Sequence, residues 1–571
     1  MDKDQISQIF ANMAVMLEIK GENPFKVRAY ENAVRVLEGM KDFEERVKSD
    51  TLTEVKGIGE NLSKHIAELY NTDRMKEYEK LRKSIPEGLF EIMAIPGIGA
   101  KTVKFLYEKL EIKSIGALEL TCKHGGLRKY PGYGQKTEEK ILRGIAYLRR
   151  HIGQHLYSDA LAAAMEIFRK IEKNKDVIRA ELAGSLRRKK ETIKDIDIVV
   201  STKRPESVIN FFTKMNEVEK VEAKGETKTT VVLSSGISAD LRTVSDKEFP
   251  YALHHFTGSK EHNVAMRSRA QKMGYKMNEY GLYKISGKKD VLVRCENEGD
   301  IFSELKLDYI EPELRENMGE ISAAEEGKLP KLLDPKEMKG VLHVHSDYSD
   351  GVSSIEEMAV AAKKMGYSYI GICDHSQSVT YAGGMSIESV KKQWKEINSL
   401  NKKLRGIKVL KGIECDILGD GALDYPEKML NGFDFVIAAV HSRFSMSEDE
   451  MTRRIIKAVE NPHVHILAHP TGRLLLTREH YKVNMHKVID AAAENDVAIE
   501  INSNPHRLDL DWRLCPYAKS KGVKIAICPD AHSVENLEDI YYGIGIARKG
   551  WLTKEDILNT LTLKEIEGWF S

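Results

Sequence analysis

Gly184-Ser185-Leu186-Arg187-Arg188, followed after six residues by Asp195-Ile196-Asp197-Ile198-Val199-Val200, is the stretch from which the rest of the chain can be interpreted. The alternation of polar and apolar residues before an apolar run predicts a strand that enters a core. Side chains at i and i+2 of a strand leave the same face, so Asp195 and Asp197 are expected side by side. Two crowded carboxylates repel each other unless a cation lies between them, and the pair therefore predicts a divalent-metal site.

The residues upstream of this pair predict an anion site next to the metal. Gly184 and Ser185 would let the backbone approach a phosphate, and Arg187 and Arg188 supply positive charge. Asp240, in a second strand-like segment, would add the third carboxylate that a pair of metal ions requires. Together these features predict metal-assisted nucleotidyl or phosphoryl transfer. The alternative is a strand that ends in two aspartates beside a solvated basic loop.

Length and composition limit the remaining possibilities. A chain of 571 residues is long enough for three or more domains, each with its own core. The formal net charge of +1 means that any nucleic-acid surface is local, and the Lys- and Arg-rich residues 101–150 are one candidate. The 6 cysteines form no CxxC pair, which argues against a disulfide framework and a cysteine zinc site. No apolar run is long enough for a membrane span, and a reducing, cytoplasmic setting is expected.

Residues 1–150 show helical periodicity that is interrupted by three similar glycine turns. Each turn has the form Gly-x-Gly and precedes an amphipathic helix, so it would expose backbone N–H groups to a DNA phosphate at a helix N-terminus. One such sequence is usually only a tight turn, whereas three in a Lys-rich region resemble helix-hairpin-helix motifs. The predicted DNA-binding residues are Gly57, Gly59, Gly97, Gly99, Gly132 and Gly134.

Beyond residue 339 the pattern changes to short apolar runs that alternate with amphipathic stretches. Such alternation predicts an α/β barrel whose functional groups lie at the carboxyl ends of the strands. The seven predicted strands are 341–344, 368–373, 408–413, 434–440, 464–468, 497–501 and 523–528.

Most of the 18 histidines lie in this C-terminal half, and many follow the predicted strands. A single histidine is more often a structural group than a ligand, but a set of His, Asp and Glu at successive strand ends is hard to attribute to chance. Mixed imidazole and carboxylate ligands suit Zn²⁺, Mn²⁺ or Fe²⁺, and this many donors would hold two or three ions. The candidate ligands are His343, His345, Asp350, His375, Glu414, His441, His469, Asp530 and His532.

Residues 1–318 resemble the family X DNA polymerases, the group that contains DNA polymerase beta. The resemblance rests on the helical hairpins, the Gly-Ser…Asp-x-Asp signature, the third aspartate and the Phe-Thr-Gly-Ser…Asn…Arg stretch. It implies that Asp195, Asp197 and Asp240 bind two Mg²⁺ ions. It further implies contacts with the triphosphate (Gly184, Ser185, Arg188), the sugar (Phe256, Gly258), the base (Asn263) and the templating side of the nascent pair (Arg267).

Four positions depart from the pattern of that family. His255 replaces a tyrosine, and Lys260 replaces an aspartate of the nucleotide pocket. Ser238 replaces an arginine two residues before the third aspartate, so activation of the primer hydroxyl would be less assisted. His65 stands where the family's deoxyribose-phosphate lyases carry a Schiff-base lysine, and the adjacent Lys64 would be rotated by roughly 100° on a helix. A lyase activity of that type is therefore not expected.

Residues 339–571 resemble the polymerase and histidinol phosphatase (PHP) domain, whose His-x-His, Asp-His, Glu, His, His-Pro and Asp-x-His motifs occur in order. The resemblance implies a trinuclear metal site that hydrolyses phosphoesters, and no ligand of the pattern is missing. His506, next to Arg507, would be either a structural or surface group or a contact to substrate.

These features predict a multidomain chain of α+β and α/β parts. The expected order is a helical N-terminal DNA-binding domain with the first hairpin (1–85), a fingers-like helical domain with the other hairpins (86–150), a nucleotidyltransferase palm (151–243), a small thumb (244–318), a polar linker (319–338) and the PHP domain as a seven-stranded α/β barrel (339–571).

The predicted function is template-directed filling of short DNA gaps in repair, with a second metal-dependent site acting as a 3′→5′ exonuclease. Processing of abasic sites or 3′-phosphates at the second site is left open. Two alternatives treat the C-terminal half as a small-molecule phosphatase or as a structural clamp. The expected partners are gapped, nicked or primer–template DNA and dNTPs, and a monomer without membrane contact is expected.

Overall fold

The structure, a computed structural model, describes residues 1, 3–38, 40, 42–286 and 289–571. They form two compact units, of which the first is Met1–Ile152 with Thr477–Glu479 and the second is Gly153–Leu476 with His480–Ser571. Across the described ranges, no helix is both long and apolar enough to cross a membrane. All 6 cysteines are buried free thiols, in agreement with the predicted absence of a disulfide framework.

Within its described residues the first unit consists of helices and turns without a strand. Amphipathic helices pack around one core, in which Phe10, Ile66 and Val103 are fully buried. Three helices begin directly after the Gly-x-Gly turns. The helices are α1 (Lys3–Lys20), α2 (Pro24–Glu38), α3 (Phe43–Lys48), α4 (Glu60–Thr72), α5 (Lys76–Lys83), α6 (Glu87–Met93), α7 (Ala100–Leu110), α8 (Ile115–Lys123) and α9 (Gln135–His151).

The second unit begins with the predicted palm, a mixed sheet with helices on its faces. Its elements are β1 (His155–Leu156), α10 (Tyr157–Glu172), β2 (Val177–Leu182), α11 (Gly184–Arg187), β3 (Thr192–Ile193), β4 (Asp195–Thr202), α12 (Pro205–Phe212), β5 (Val218–Lys224), β6 (Lys228–Leu233) and β7 (Ser238–Val244). The strand order is β2-β4-β7-β6-β5, and β4 and β7 are the parallel pair. The strand predicted from Asp195–Val200 and the strand-like segment predicted around Asp240 are confirmed as β4 and β7.

The interior strand β4 is packed on both faces of the sheet. Ile198 and Val200 are fully buried in a cluster with residues of α10 and α12, because alternate side chains face that side. Val199 faces the other way and packs with Phe249 in a separate cluster. Packing on both faces fixes the position of the carboxylates at the start of the strand.

The predicted thumb and linker follow as α13 (Phe249–Thr257), α14 (Lys260–Lys272), β8 (Tyr275–Asn278), β9 (Gly281–Lys284), β10 (Val291–Leu292), α15 (Glu298–Glu304) and α16 (Glu320–Glu325). The segment 319–338, predicted as a polar linker, is packed into the unit. The fully buried Glu320 accepts a hydrogen bond at 2.7 Å from Nδ1 of the buried His262. The equally buried Leu333 donates its N–H to the carbonyl of Leu552.

The C-terminal part alternates parallel strands with helices, as predicted. Its elements are β11 (Gly340–Val344), α17 (Ile355–Lys364), β12 (Tyr369–Ile372), α18 (Ile387–Lys403), β13 (Lys408–Lys411), β14 (Glu414–Asp416), α19 (Glu427–Leu430), β15 (Ile437–Ala439), α20 (Glu448–Val459), β16 (Ile466–Leu467), α21 (Met485–Glu494), β17 (Ala498–Asn502), α22 (Cys515–Ser520), β18 (Ile525–Cys528), α23 (Ile540–Lys549) and α24 (Leu563–Trp569).

These strands form two parallel sheets, β11-β12-β13 and β14-β15-β16-β17-β18. Single bridges join the sheets at Val344–Ala531 and at His375–Glu414. The apolar run 408–413 contains only β13, which ends at Lys411, and Glu414 begins the separate strand β14 instead of ending the same strand. Among the described residues, the hydrogen-bonded ladders therefore do not form one closed seven-stranded barrel.

Candidate functional site

The three glycine turns of the first unit share one backbone geometry. The first glycine of each has a positive φ between 81 and 103°, a conformation that glycine adopts most readily. The second glycine is the N-cap of the following helix, without a side-chain cap from any described residue. A Cβ built on this second glycine meets no described atom within 4 Å, so internal packing does not require glycine there. Glycine would be required there if a phosphate from outside the protein approached the free N–H groups closely. The turns are Gly57–Gly59, Gly97–Gly99 and Gly132–Gly134.

A double substitution tests these turns as phosphate sites. Gly99→Ala with Gly134→Ala should weaken binding to gapped DNA about three- to tenfold, because each methyl group would obstruct a phosphate at a helix N-terminus. The free energy of unfolding should fall by only about 0.5–1 kcal/mol per site, since both methyl groups enter open space and alanine is merely a poorer N-cap residue than glycine. Fluorescence anisotropy at fixed salt measures the affinity. Gly116→Ala, which also points into open space, is the matched control and should leave affinity unchanged.

Parallel pairing of β4 with β7 brings the three predicted carboxylates together. Asp197 lies opposite Asp240 in the register, and Asp195 lies opposite Ser238. Burial and the charges of Asp195 and Asp240 raise the pKa of Asp197 from 3.8 to about 7. Crowded carboxylate oxygens of this kind fit a divalent cation such as Mg²⁺, which would relieve their repulsion.

Asp240 is held by two residues that were not predicted as members of the site. Thr230, opposite it on β6, donates its hydroxyl to Oδ1 at 2.5 Å. The ammonium of Lys228 on the same strand lies 2.7 Å from Oδ2. The third aspartate therefore has a cationic neighbour even though Ser238 replaces the expected arginine. Only the pairing of β6 with β7 reveals this, because Lys228 and Asp240 are distant in the sequence.

The raised pKa of Asp197 predicts a pH-dependent gain of stability on its replacement. Between pH 4 and 7 the folded, metal-free protein keeps a proton that the unfolded chain releases, so this carboxyl lowers stability as the pH rises through that window. Asp197→Asn should therefore raise the thermal unfolding midpoint of the metal-free protein by a few degrees at pH 8 and hardly at all at pH 4. Calorimetry without and with Mg²⁺ measures this, and wild type should gain more from Mg²⁺. A midpoint for the variant below that of wild type at pH 8 would contradict a destabilising repulsion between Asp197 and the two neighbouring carboxylates.

All seven predicted nucleotide contacts, with Asp195 and Asp197, line one cavity of about 440 Å³. Gly184 has φ of 63°, and a Cβ there would lie 2.1 Å from Oδ2 of Asp197. Glycine thus allows the backbone to pass directly beside the carboxylate. Gly258, also left-handed, ends α13, and a Cβ there would lie 3.1 Å from the guanidinium of Arg188. The seven residues are Gly184, Ser185, Arg188, Phe256, Gly258, Asn263 and Arg267.

Two of the departures from the family pattern lie in the same cavity. His255 is half-buried, and burial lowers its pKa, so the imidazole is neutral near pH 7. Its backbone carbonyl accepts a hydrogen bond at 2.7 Å from the Asn263 amide, which orients that side chain. Lys260 is exposed at the start of α14 and adds positive charge to the wall. The cavity therefore has the charge to accept an anionic ligand.

At the position of the lyase lysine, the first unit has a histidine with its own partners. Nδ1 of His65 lies 3.0 Å from the hydroxyl of Tyr30, and Nε2 lies 3.2 Å from the carboxylate of Glu77. The neighbouring Lys64 is exposed. An imidazole supplies no amine for a Schiff base, and the absence of a lyase activity of that type stays a prediction.

The nine predicted ligands of the C-terminal part converge on one site. Glu414 is central, since its carboxylate lies 2.7 Å from His375 Nδ1 and 2.9 Å from His469 Nε2. His441 Nε2 lies 3.2 Å from the same carboxylate. Three groups have donor atoms within 4.8 Å of one another: His345, Asp350, His375 and His532; His343, His345 and Asp530; and His375, Glu414 and His441.

The donor atoms of this cluster fit metal ions better than they fit one another. Several lie close together without hydrogen-bond geometry, and buried polar atoms rarely lack a partner. Convergent imidazole and carboxylate donors that remain unsatisfied are arranged as metal ligands are. Within the described part of the chain, the buried atoms without a hydrogen-bond partner include His343 Nε2, both ring nitrogens of His345, and Glu414 Oε2.

The backbone at three of these ligands is left-handed. The φ angles are 59° at His343, 26° at His469 and 53° at Asp530. Such conformations cost on the order of 1 kcal/mol or more at a residue with a side chain. The left-handed conformations turn these three side chains toward the common site. The regular alternation of side chains along a strand does not predict that direction.

Glu500, Asp416 and Arg507 belong to the site but were not predicted as its members. Glu500 on β17 accepts a hydrogen bond from Nδ1 of His343 at 2.5 Å and from the backbone N–H of His469 at 2.6 Å. Asp416 lies 3.3 Å from Nδ1 of His441, and Arg507 Nε lies 3.5 Å from Asp530. A carboxylate inside the apolar run 497–501 was the available signal for Glu500. His506 is exposed, and its neighbour Arg507 faces the cluster instead.

Protein-family models match four parts of the chain: a helix-hairpin-helix domain (1–75), a SAM-like helix-hairpin-helix tandem (90–146), the DNA polymerase beta thumb (252–316) and the PHP domain (342–504).

The chain is 37% identical over 571 residues to the DNA polymerase/3′-5′ exonuclease PolX of Bacillus subtilis (strain 168), and the match covers 100% of this chain and 99% of that protein. Its C-terminal part is 32% identical over 236 residues to a probable phosphatase of Thermoanaerobacter sp. (strain X514), covering 39% of this chain and 91% of that protein. A probable phosphatase of Caldanaerobacter subterraneus is 31% identical over 229 residues, 38% of this chain and 85% of its own.

Proposed function

The chain belongs to the family X DNA polymerases that carry a PHP domain, and from this membership we propose that it fills short DNA gaps by template-directed synthesis and trims DNA 3′ ends at a second site. The observation that carries the proposal is the presence of two donor sets of different chemistry in one chain. Three carboxylates lie beside a cavity lined by the predicted nucleotide contacts, and a separate set combines imidazoles with carboxylates. The first suits nucleotidyl transfer and the second suits phosphoester hydrolysis.

In the polymerase site, Asp195, Asp197 and Asp240 would hold two Mg²⁺ ions, which when bound lower the pKa of a primer 3′-hydroxyl and neutralise triphosphate charge. The chain contributes placement and charge. The absence of a side chain at Gly184 lets the triphosphate approach the backbone, and Arg188 offers its guanidinium to the phosphate oxygens. Lys228 and Thr230 keep the Asp240 carboxylate in one orientation.

In the PHP site, the nine donors would hold two or three Mn²⁺, Zn²⁺ or Fe²⁺ ions, which when bound supply an activated water and screen the phosphate oxygens. Glu500 fixes the imidazole of His343 through Nδ1, so that Nε2 faces the other donors. Arg507, beside Asp530, offers a cation to the phosphate of a DNA end. Abasic-site and 3′-phosphate processing are further reactions that this phosphoesterase chemistry allows.

The hairpins of the first unit support gapped, nicked or primer–template DNA as the partner, because their free N–H groups suit phosphates at any sequence. With dNTPs as the second substrate, a monomer is sufficient for the proposed reactions. We also retain as a proposal the closure of the two parallel sheets into one barrel, which the bridges at Val344–Ala531 and His375–Glu414 support.

A second candidate for the PHP site is a phosphatase of small phosphorylated molecules. The names of the relatives that match only this half favour it. The full-length relative and the DNA-binding hairpins favour a DNA end as the substrate. The observations disfavour a purely structural clamp. All nine predicted ligands lie together, and several of their buried donor atoms have no hydrogen-bond partner.

One preparation of the protein tests both activities. Labelled gapped DNA with dNTPs should be extended in a template-dependent manner, and labelled single-stranded DNA with Mn²⁺ and no dNTPs should be shortened from its 3′ end. Turnover of a small phosphorylated molecule in place of DNA shortening would support the second candidate. Failure to extend gapped DNA would overturn the polymerase assignment.

A further inference from the structure

A buried ammonium group from the C-terminal part contacts the nucleotide-binding loop of the polymerase site. Lys549 is the last residue of α23, and its side chain is fully buried. Its Nζ donates to the backbone carbonyl of Arg188 at 3.0 Å and to Oε1 of Glu316 at 2.5 Å. Because Arg188 lines the nucleotide cavity, this contact reaches a wall of the cavity directly.

Arg188, Glu316 and Lys549 form a buried triad of two cations and one anion. Nε of Arg188 donates to the same Oε1 of Glu316 at 3.0 Å, and both side chains are only 10% exposed. The two cations share one carboxylate, so the triad as a whole keeps a positive charge. Burial lowers the pKa of Lys549 to about 8, and Glu316 opposes this shift, so the ammonium is largely charged at neutral pH.

The loop that carries Arg188 has a second contact with the same helix. Lys189, the next residue, has a left-handed backbone with φ of 53°. Its side chain packs against Gly545, where a Cβ would lie 2.8 Å from Cδ of the lysine, and its Nζ lies 4.5 Å from the ring centre of Tyr541. A left-handed residue is maintained by contacts with its surroundings. Here α23 contacts both the carbonyl of Arg188 and the side chain of Lys189.

We propose that Lys549 is a positioning residue for nucleotide binding: by sharing Glu316 and bonding the Arg188 backbone, it keeps the Arg188 guanidinium available to the dNTP triphosphate. This inference rests on the proposed polymerase function and adds a dependence of that site on a helix of the PHP half. Without Lys549, the buried Glu316 carboxylate would be paired with Arg188 alone and would cancel its charge. The requirement is therefore a balance of charge, which a second substitution can restore.

The test compares steady-state extension of gapped DNA by Lys549→Met and by Lys549→Met with Glu316→Gln. The single variant should raise KM for the incoming dNTP about tenfold and change kcat less than about twofold, because ground-state binding is lost and the reacting atoms are untouched. The double variant should return KM to within about threefold of wild type, since no unbalanced carboxylate remains. Arg548→Met is the matched control: it breaks the neighbouring buried pair with Glu313, 2.8 Å apart, and should leave KM unchanged. Calorimetry with a non-hydrolysable dNTP should show the same order of affinities.

A Lys549→Met KM within twofold of wild type, or a double variant as poor as the single one, would overturn the inference. An equal rise of KM for Arg548→Met would show a general effect of α23 and would overturn it as well. If the single variant does not fold, the double variant decides alone: a KM near wild type supports the charge balance, and an about tenfold rise contradicts it. Absence of synthesis by the wild-type protein would instead overturn the proposed function, and it is visible before any variant is compared.

Discussion

Asp195→Ala is expected to reduce DNA synthesis by at least about 10³-fold, because one of three carboxylates that would hold the polymerase metal ions is lost. Asp195 begins β4, lines the nucleotide cavity, and lies beside the Asp197–Asp240 pair in the register. The remaining two carboxylates can bind a cation but cannot position both the primer hydroxyl and the triphosphate. Single-nucleotide extension of gapped DNA under excess enzyme measures the loss.

The same variant should shorten single-stranded DNA at a rate within about twofold of wild type, because the two donor sets are separate. Asp308→Ala, at an exposed aspartate outside the cavity, is the matched control and should keep both activities. Loss of DNA shortening together with synthesis would mean that one site performs both reactions, and the two-site proposal would be wrong.

Glu414→Gln is expected to reduce DNA shortening by at least about 10³-fold while synthesis stays within about twofold of wild type. Five imidazoles lie within 3.7 Å of its carboxylate, so the glutamine keeps the volume but removes the anionic donor that the groups share. Metal analysis of the purified variant should show fewer bound ions per chain. This measurement separates lost metal binding from a defect in chemistry alone.

Glu427→Gln is the matched control for this change, since that side chain is 81% exposed and lies outside the cluster. It should retain the metal content and the nuclease rate of wild type. A Glu414→Gln protein with full metal content and full nuclease activity would refute the assignment of this cluster as the hydrolytic site. Turnover of a small phosphate ester in place of DNA by wild type, lost in the variant, would favour the phosphatase candidate.

The polymerase site could be predicted from the sequence where local geometry decides the outcome. Asp195 and Asp197 are two residues apart on a strand, so their proximity follows from the pattern alone. Gly184 was predicted for the approach of a phosphate, and only the structure shows that a Cβ there would meet the Asp197 carboxylate. Lys228 could not be found in this way, because its contact with Asp240 depends on the register of β6 against β7. The same holds for Lys549 and Glu316, which lie far apart in the chain and meet only after the elements pack.

In the C-terminal part, the order of the motifs predicted a set of ligands that the structure brings together, but the shape of the sheet did not follow from the apolar runs. The run 408–413 reads as one strand, whereas the structure ends β13 at Lys411 and begins β14 at Glu414. Apolar periodicity reports burial and does not report which neighbour a strand pairs with. The segment 319–338 was interpreted from its polarity as a linker, yet Glu320 is buried because His262 offers it a partner.

The left-handed backbone at His343, His469 and Asp530 bears on how this chain would change over generations if its second site fell out of use. Glycine or asparagine at these positions would relieve strain on the order of 1 kcal/mol each. If the site had no function, such substitutions would therefore stabilise the protein. This chain has histidine or aspartate at all three positions. The chain thus has, at three separate points, a backbone conformation less stable than glycine would give, which is a cost in stability that ligand side chains impose at these positions.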